Sequence, residues 1–340
     1  MHTNLTILGI ESSCDETAAA VYDSSKGLVS NVLFSQTELH KQYGGVVPEI
    51  ASRYQLEKIN TVIKDALLKA SLSLADIDAV AVTNRPGLPG SLLVGVSFAK
   101  GLAYAAKTRI IGINHLEGHV FSVMIEHKVP FPYLCLTASG GHTSLYLVKD
   151  YGDFTLLSET SDDAAGEAFD KVAKMLSYPY PGGPIIERLA QEVNFEDSLH
   201  YPRLKKNDLS LSFSGLKTAV LYSLVKREAY DMNAKEFLQP DNIDLKRAVA
   251  SSLLNCISDI FVDRVIRALK KYECKALAFV GGVACNKFIK KNLQQVADKY
   301  QIPFYWPSPR FCTDNAAMIA FVGYYKAQQG KFSTMTLDIY

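Results

Sequence analysis

One order of elements occurs twice along these 340 residues, and that repetition limits the fold more than any other feature. Near the start, Leu5–Glu11, Ala18–Tyr22 and Leu28–Phe34 are short runs rich in β-branched and apolar residues, set apart by turn formers, and they predict three successive strands. A helix is predicted over Pro48–Ala70, with the proline at an early helical position where its missing N–H costs nothing. A strand over Ile77–Thr83, a helix over Ser91–Ala106 and a strand over Arg109–Ile113 complete the first series. The order restarts with strands at Tyr133–Ala138, Thr143–Val148 and Phe154–Glu159. Helices over Ala165–Leu176, Pro184–Glu192, Gly215–Arg227 and Leu245–Lys271 follow. Then come a strand at Ala276–Val280, a helix at Asn286–Tyr300, a short strand at Pro303–Trp306 and a closing helix at Asp314–Ala327.

Three antiparallel strands followed by alternating helices and strands, in duplicate, are the order of the α/β actin-like/Hsp70/sugar-kinase (ASKHA) fold. In that fold two ribonuclease-H-like lobes face a nucleotide cleft, and the first hairpin of each lobe points its turn at the phosphates. The expected division is residues 1–132 with 316–340 as the first lobe and 133–315 as the second, which would contribute to both nucleotide and metal sites. Order alone argues fold by analogy, so function has to come from the sites.

Bulk properties exclude several classes. A chain this long, 48% hydrophobic, can bury two cores of ordinary size. With 36 basic and 35 acidic side chains the net charge is +1, so a nucleic-acid partner would need a local basic patch or a partner subunit; DNA is not expected. The six cysteines include no C-x-x-C pair, which fits reduced intracellular thiols. No signal peptide is expected at the start, and the most apolar stretch, Leu92–Ala106, is interrupted by Lys100 and too short to span a bilayer. The expected location is cytoplasmic, with no membrane association.

Five segments could carry chemistry. Gly9-Ile-Glu-Ser-Ser-Cys-Asp-Glu-Thr17 leaves a strand, makes a polar turn and re-enters a strand. Its hydroxyls and N–H groups can face phosphate, and Asp15 and Glu16 can orient a metal, water or amine, unless it is an ordinary polar turn. Thr137-Ala-Ser-Gly-Gly-His-Thr143 is the equivalent turn of the second series, where Gly140 and Gly141 allow close ligand approach. Val280-Gly-Gly-Val-Ala-Cys-Asn286 runs from a strand through a Gly-rich turn into a helix, letting backbone approach an adenine or ribose while Asn286 donates and accepts. It has neither the Rossmann spacing nor the P-loop lysine. Pro181-Gly-Gly-Pro184, with Glu187 beyond it, is either a sugar-closing turn or a plain helix start.

The fifth is Asn114-His-Leu-Glu-Gly-His119. Residues four apart share a helix face, so His115 and His119 can present imidazole nitrogens to one ion. Such a pair can equally be structural. Asp314 is a candidate third ligand, and equally a candidate N-cap for the helix it precedes. Zinc peptidases place Glu next to the first His; here Glu117 stands two residues on, about 200° around the helix, and faces away from any ion the pair would hold. A small-molecule kinase of the same fold would leave the His pair and Asp314 without a task.

These segments resemble the TsaD/Kae/Qri family in its bacterial stand-alone TsaD form, the transferase subunit of tRNA threonylcarbamoyladenosine synthesis, formerly labelled O-sialoglycoprotein endopeptidase. Further matching strings are Asp163-Ala-Ala-Gly-Glu-Ala-Phe-Asp-Lys171, Tyr180-Pro-Gly-Gly-Pro184, Phe213-Ser-Gly-Leu-Lys217 and Cys312-Thr-Asp-Asn315, and the likeness spans residues 5–328. The resemblance implies transfer of a threonylcarbamoyl group from threonylcarbamoyl-AMP to the exocyclic N6 amine of adenosine 37 in tRNAs reading codons that begin with A. It implies a metal triad of His115, His119 and Asp314 holding one Fe2+, with Zn2+ as the alternative. It implies contacts to the adenine nucleotide, threonylcarbamoyl-AMP or ATP, from Thr137, Ala138, Ser139, Gly140, Gly141, Asp170, Gly183, Glu187 and Asn286, with Glu187 standing where an aspartate is usual. It also implies a TsaB-type pseudo-symmetric partner and a TsaE-type ATPase, after TsaC-type synthesis of the intermediate. Asp15 and Glu16 are the candidate proton acceptors, and Cys14 has a packing role. For tRNA contact the candidates are the basic segments Arg203, Lys205, Lys206 and Lys287, Lys290, Lys291, each of which could equally be a solvated face.

Overall fold

The computed structural model describes residues 4–203 and 208–340, so Lys205 and Lys206 lie outside the described residues. In chain order the elements begin β1 Thr6–Glu11, β2 Glu16–Asp23, β3 Gly27–Ser35, α1 Thr37–Lys41, α2 Pro48–Ala70, β4 Ala79–Arg85, α3 Pro89–Ala106, β5 Arg109–Asn114 and α4 His115–Ser122. They continue β6 Tyr133–Ala138, β7 Thr143–Asp150, β8 Asp153–Glu159, α5 Ala165–Met175, α6 Gly183–Gln191, α7 Ser214–Lys226, β9 Tyr230–Asp231 and β10 Glu236–Phe237. The rest is α8 Ile243–Lys271, β11 Ala276–Val280, α9 Lys287–Lys299, β12 Phe304–Tyr305, α10 Pro309–Cys312 and α11 Ala316–Gln328.

The chain divides into two compact units, Met1–Lys128 with Pro307–Tyr340, and Val129–Trp306. Each holds a five-stranded sheet of one topology. In the first the order is β3-β2-β1-β4-β5, and in the second β12-β11-β6-β7-β8. The first hairpins are antiparallel (β1 with β2, β2 with β3; β6 with β7, β7 with β8). The later strands add in parallel on the other side (β4 and β5 beside β1; β11 and β12 beside β6). The duplicated βββαβα order is thus present as duplicated topology.

The division differs from the expected one at both crossings, 128/129 against 132/133 and 306/307 against 315/316, the second by more. Residues 307–315 were expected with the second lobe, yet they pack in the first unit, because their polar groups are spoken for there. Ser308 donates its N–H and its Oγ–H to Glu126 (2.7 and 2.8 Å), and Asp314 meets both histidines of α4. Short elements also escaped sequence reading: α1, α10 and the β9–β10 hairpin carry too few residues to show a period.

In the first unit β1 is buried on both faces, as parallel-edged α/β sheets require. Leu8 and Ile10 join Ile59, Ile63, Leu92 and Val96 of α2 and α3 in one core. The alternate residues turn toward α11: Gly323 of α11 packs on Ile7, and a Cβ at Gly9 would meet the Ala316 carbonyl oxygen at 2.6 Å and the Ala320 nitrogen at 2.5 Å. Gly9 therefore lets the strand lie directly on the helix that carries Asn315 at its cap. In the second unit Phe213, Phe261 and Phe279 form an edge-to-face chain under the fully buried β11. No helix among the described residues is long and apolar enough to cross a membrane.

Candidate functional site

The metal candidates lie within the first unit. Strand β5 ends at Asn114, whose Oδ1 accepts the N–H groups of Leu116 (2.8 Å) and Glu117 (3.4 Å) and so starts α4 immediately. That cap places His115 and His119 on one face of an eight-residue helix, their rings edge-to-face with centroids 4.6 Å apart. Asp314 Oδ1 lies 3.0 Å from His119 Nε2 and 3.4 Å from His115 Nε2. One ligand atom from each of the three falls within 4.8 Å of the others.

The alternative role for Asp314, as N-cap, goes to its neighbour. Asn315 Oδ1 accepts the Met318 N–H at 3.1 Å and starts α11, which leaves the Asp314 carboxylate to the histidines. Glu117 turns away from the cluster, as its spacing requires, and pairs with Lys326 of α11 at 2.7 Å.

Sequence reading passed over Glu11, which stood inside the first motif. Its side chain is fully buried at the end of β1. One oxygen accepts the Thr83 hydroxyl (2.6 Å) and lies 3.1 Å from His115 Nδ1; the other accepts the Ser13 N–H (2.5 Å). Ser13 Oγ also lies 3.1 Å from His115 Nδ1. The available signal was a carboxylate at the buried end of a strand, a costly place for a charge without a partner. Burial alone would raise the Glu11 and Asp314 carboxyls and lower the His115 imidazole; the charges facing one another outweigh it. Both carboxyls are held below their ordinary values, Asp314 well below, and His115 is held well above its own.

The donor set fits a transition-metal ion: two imidazoles and a carboxylate converge, and a carboxylate stands behind one imidazole to take its outer N–H. The other ring's Nδ1, on His119, is buried with no hydrogen-bond partner among the described residues.

Asp15 and Glu16 lie in the same unit, Asp15 buried and Glu16 half-buried. Burial, the Asp314 charge and the Asp15 charge push the Glu16 carboxyl well above its ordinary range, against a hydrogen bond from Ser35 at 3.2 Å. Burial, with the charges of Asp15 and Asp314, also keeps the Cys14 thiol protonated, so no thiolate nucleophile stands there.

The nucleotide candidates all fall in the second unit, where hydrogen bonds and close contacts join them into a ring. Gly281 has φ +91° and lies so close to Ala138 that a Cβ would meet its carbonyl oxygen at 2.3 Å. Thr137 and Ala138 are buried on β6, while a Cβ at Gly140 or Gly141 would meet nothing within 4 Å, so this part of the turn is open. Ser139 accepts the Gly166 N–H of α5 at 3.2 Å. One turn further along α5, Asp170 accepts the Gly182 N–H at 2.7 Å, just ahead of Gly183 and α6. Burial pushes the Asp170 carboxyl up to about 6 despite that bond.

Two candidates are partly committed already. Glu187 Oε1 accepts the Lys287 N–H at 2.6 Å, and Asn286 Oδ1 accepts the Ile289 N–H at 2.9 Å. Asn286 therefore keeps its amide N–H groups and the second acceptor site of Oδ1 to offer. The remaining strings support each other. Asp162 accepts the N–H groups of Phe213 and Ser214 (2.8 and 3.2 Å), and Asp163 pairs with Lys171 and Lys217 (2.8 and 3.3 Å).

Two sheets of actin-like topology, a two-histidine–one-carboxylate cluster in one unit and a ring of Gly-rich turns in the other define a protein of the ASKHA class. Likeness to solved structures agrees on the fold: HypF in its phosphate- and nucleotide-bound form (TM-score 0.62, 14% identity, 97% of this chain and 47% of that one) and the ROK hexokinase of Thermus thermophilus (TM-score 0.51, 15% identity, 96% and 100%). The family profile described as TsaD, tRNA N6-adenosine threonylcarbamoyltransferase, matches residues 27–321. The protein of that name from Clostridium perfringens strain SM101 is 45% identical over 335 residues, 98% of this chain and 96% of the relative. The chain belongs to the tRNA N6-adenosine threonylcarbamoyltransferase (TsaD) family.

Proposed function

We propose that this protein transfers the threonylcarbamoyl group of threonylcarbamoyl-AMP to the N6 amine of adenosine 37 in tRNA, in the cytoplasm. Family membership supports the reaction, and the observation that carries the reading to this chain's own residues is the convergence of His115, His119 and Asp314 within 4.8 Å.

The donor is a mixed carbamoyl–phosphate anhydride, already activated, so no protein nucleophile is needed. The amine nitrogen forms a C–N bond to the carbamoyl carbon, the C–O bond to phosphate breaks, and AMP departs with the electron pair. The proton lost by the amine passes to Asp15 or Glu16. His115, His119 and Asp314 would hold one Fe2+, or Zn2+ in its place, which when bound supplies a Lewis acid for the oxygen atoms of the donor. Glu11 fixes the His115 ring through Nδ1. In the second unit the turn at Gly140 and Gly141, with space where side chains would stand, suits phosphate, and Asp170, Gly183 and the Asn286 amide suit ribose and adenine. A TsaB-type subunit and a TsaE-type ATPase are the proposed partners.

The test is single-turnover transfer of labelled threonylcarbamoyl from preformed threonylcarbamoyl-AMP to unmodified tRNA, with both partners present. Wild type should transfer, and Asp15→Ala or Glu16→Ala should slow the step by about 100-fold or more, the range of general-base catalysis. Unchanged rates in both variants would end the base assignment.

A further inference from the structure

Trp306 is the chain's single tryptophan, and 37% of it is exposed. Its ring leans on Phe304 (centroids 5.2 Å apart, 48° between planes), and Lys290 Nζ lies over it, 5.4 Å from the centroid. Lys287, Lys290 and Lys291 are spaced i, i+3, i+4 at the start of α9 and so share a face. None of the three forms an ion pair with a described residue. The other basic candidate, Arg203, is by contrast neutralised between Asp197 and Asp259 (2.5 and 2.9 Å).

Strand direction gives this cluster its place. β12 runs parallel to β11 with Leu277 opposite Phe304 and Ala278 opposite Tyr305, so Trp306 leaves the sheet at the edge where Val280 runs into Gly281. Val280 in turn pairs with Thr137, at the start of the open turn. The same edge carries Asn286, whose cap begins the helix that bears the lysines. Ligands of α/β sheets gather at this carboxyl edge of the parallel strands.

An exposed, braced aromatic plane beside unpaired cations is the chemistry that holds a single-stranded nucleic-acid loop: the ring stacks an unstacked base and the cations meet phosphates. We propose that Trp306, with Lys287, Lys290 and Lys291, forms the surface that holds the anticodon loop of the tRNA substrate against the nucleotide turns of the second unit. The proposal rests on the tRNA reading given above.

As the only tryptophan, Trp306 reports on its own contact. Unmodified tRNA is titrated into the full-length protein at low salt, and intrinsic fluorescence is read beside filter binding. Binding should quench the emission. K287Q/K290Q/K291Q should weaken binding at least tenfold and flatten the dependence of log K on log salt by about 2, at about 0.7 per phosphate contact. Trp306→Ala should cost roughly tenfold, as a lost base stack does, and Trp306→Phe should restore most of it because the ring is kept. Equal tRNA affinity in wild type, the triple variant and Trp306→Ala, each with an unchanged melting curve, would overturn the surface while leaving the tRNA reading intact. Quenching by a partner protein with those tRNA affinities unchanged would also overturn it. No tRNA binding by wild type at low salt would overturn both.

Discussion

Glu11 shows how much of the proposed metal cluster is built from one residue outside it. A ring that gives one nitrogen to an ion has to place the other N–H somewhere, and for His115 the acceptor is a carboxylate held in place by Thr83 and the Ser13 N–H. Such outer carboxylates fix the ring and raise its basicity as a ligand. Glu11→Gln keeps the size and an acceptor oxygen but removes the charge, so Fe2+ or Zn2+ affinity, measured by competition with a chelator, should fall about 10- to 100-fold. Affinity equal to wild type would contradict the role. Acid should act in the same direction, because the proton that His115 holds well above the ordinary imidazole value competes with the ion. At this scale the sequence showed the three residues that converge and hid Glu11, since spacing reports neighbours on one helix and not a strand end that packs behind it. It also left Asp314 between two roles, which the cap by Asn315 resolves.

Short elements and their caps do the positioning. Helix α4 follows β5 without a turn residue, so nothing in the sequence marks its start except Asn114, and only the i, i+4 histidines suggested a helix there. The longer α2, α3, α8 and α9 were legible within a few residues because their apolar period runs for three turns or more. In the second unit α5 presents Asp170 to the start of α6, and this contact carries a pH signature. The usual carboxyl value of 3.8 rises to about 6 through burial, which the Gly182 N–H only partly offsets. A raised carboxyl favours the protonated fold: its stabilisation is complete below about 4 and is lost as pH rises through about 6. Asp170→Asn keeps an acceptor for Gly182 and cannot ionise. The melting temperature of the variant should therefore gain on wild type between pH 4 and pH 7, and parallel curves over that range would contradict the burial argument.

For the whole molecule the duplicated order was the most legible feature, because three strands and their crossovers repeat the same periods in both halves and yield the same sheet topology twice. The second crossing was placed nine residues late, at 315/316 against 306/307, because a helix start is visible in sequence and the hydrogen bonds of Ser308 and Asp314 are not. The ring of turns from Thr137 to Asn286 was likewise visible only as separate Gly-rich strings, since tertiary bonds such as Glu187 to Lys287 join them. The proposal that joins the fold, the cluster and the family is a transferase whose chemistry depends on His115, His119 and Asp314. That claim is tested most directly by measuring bound metal and threonylcarbamoyl transfer from threonylcarbamoyl-AMP to tRNA together, in the reconstituted system, for wild type and for His115→Ala, His119→Ala and Asp314→Ala. The expected result is metal bound near one ion per chain in wild type, with both metal and transfer lost in each folded variant. Transfer at the wild-type rate in variants that hold no metal would contradict it.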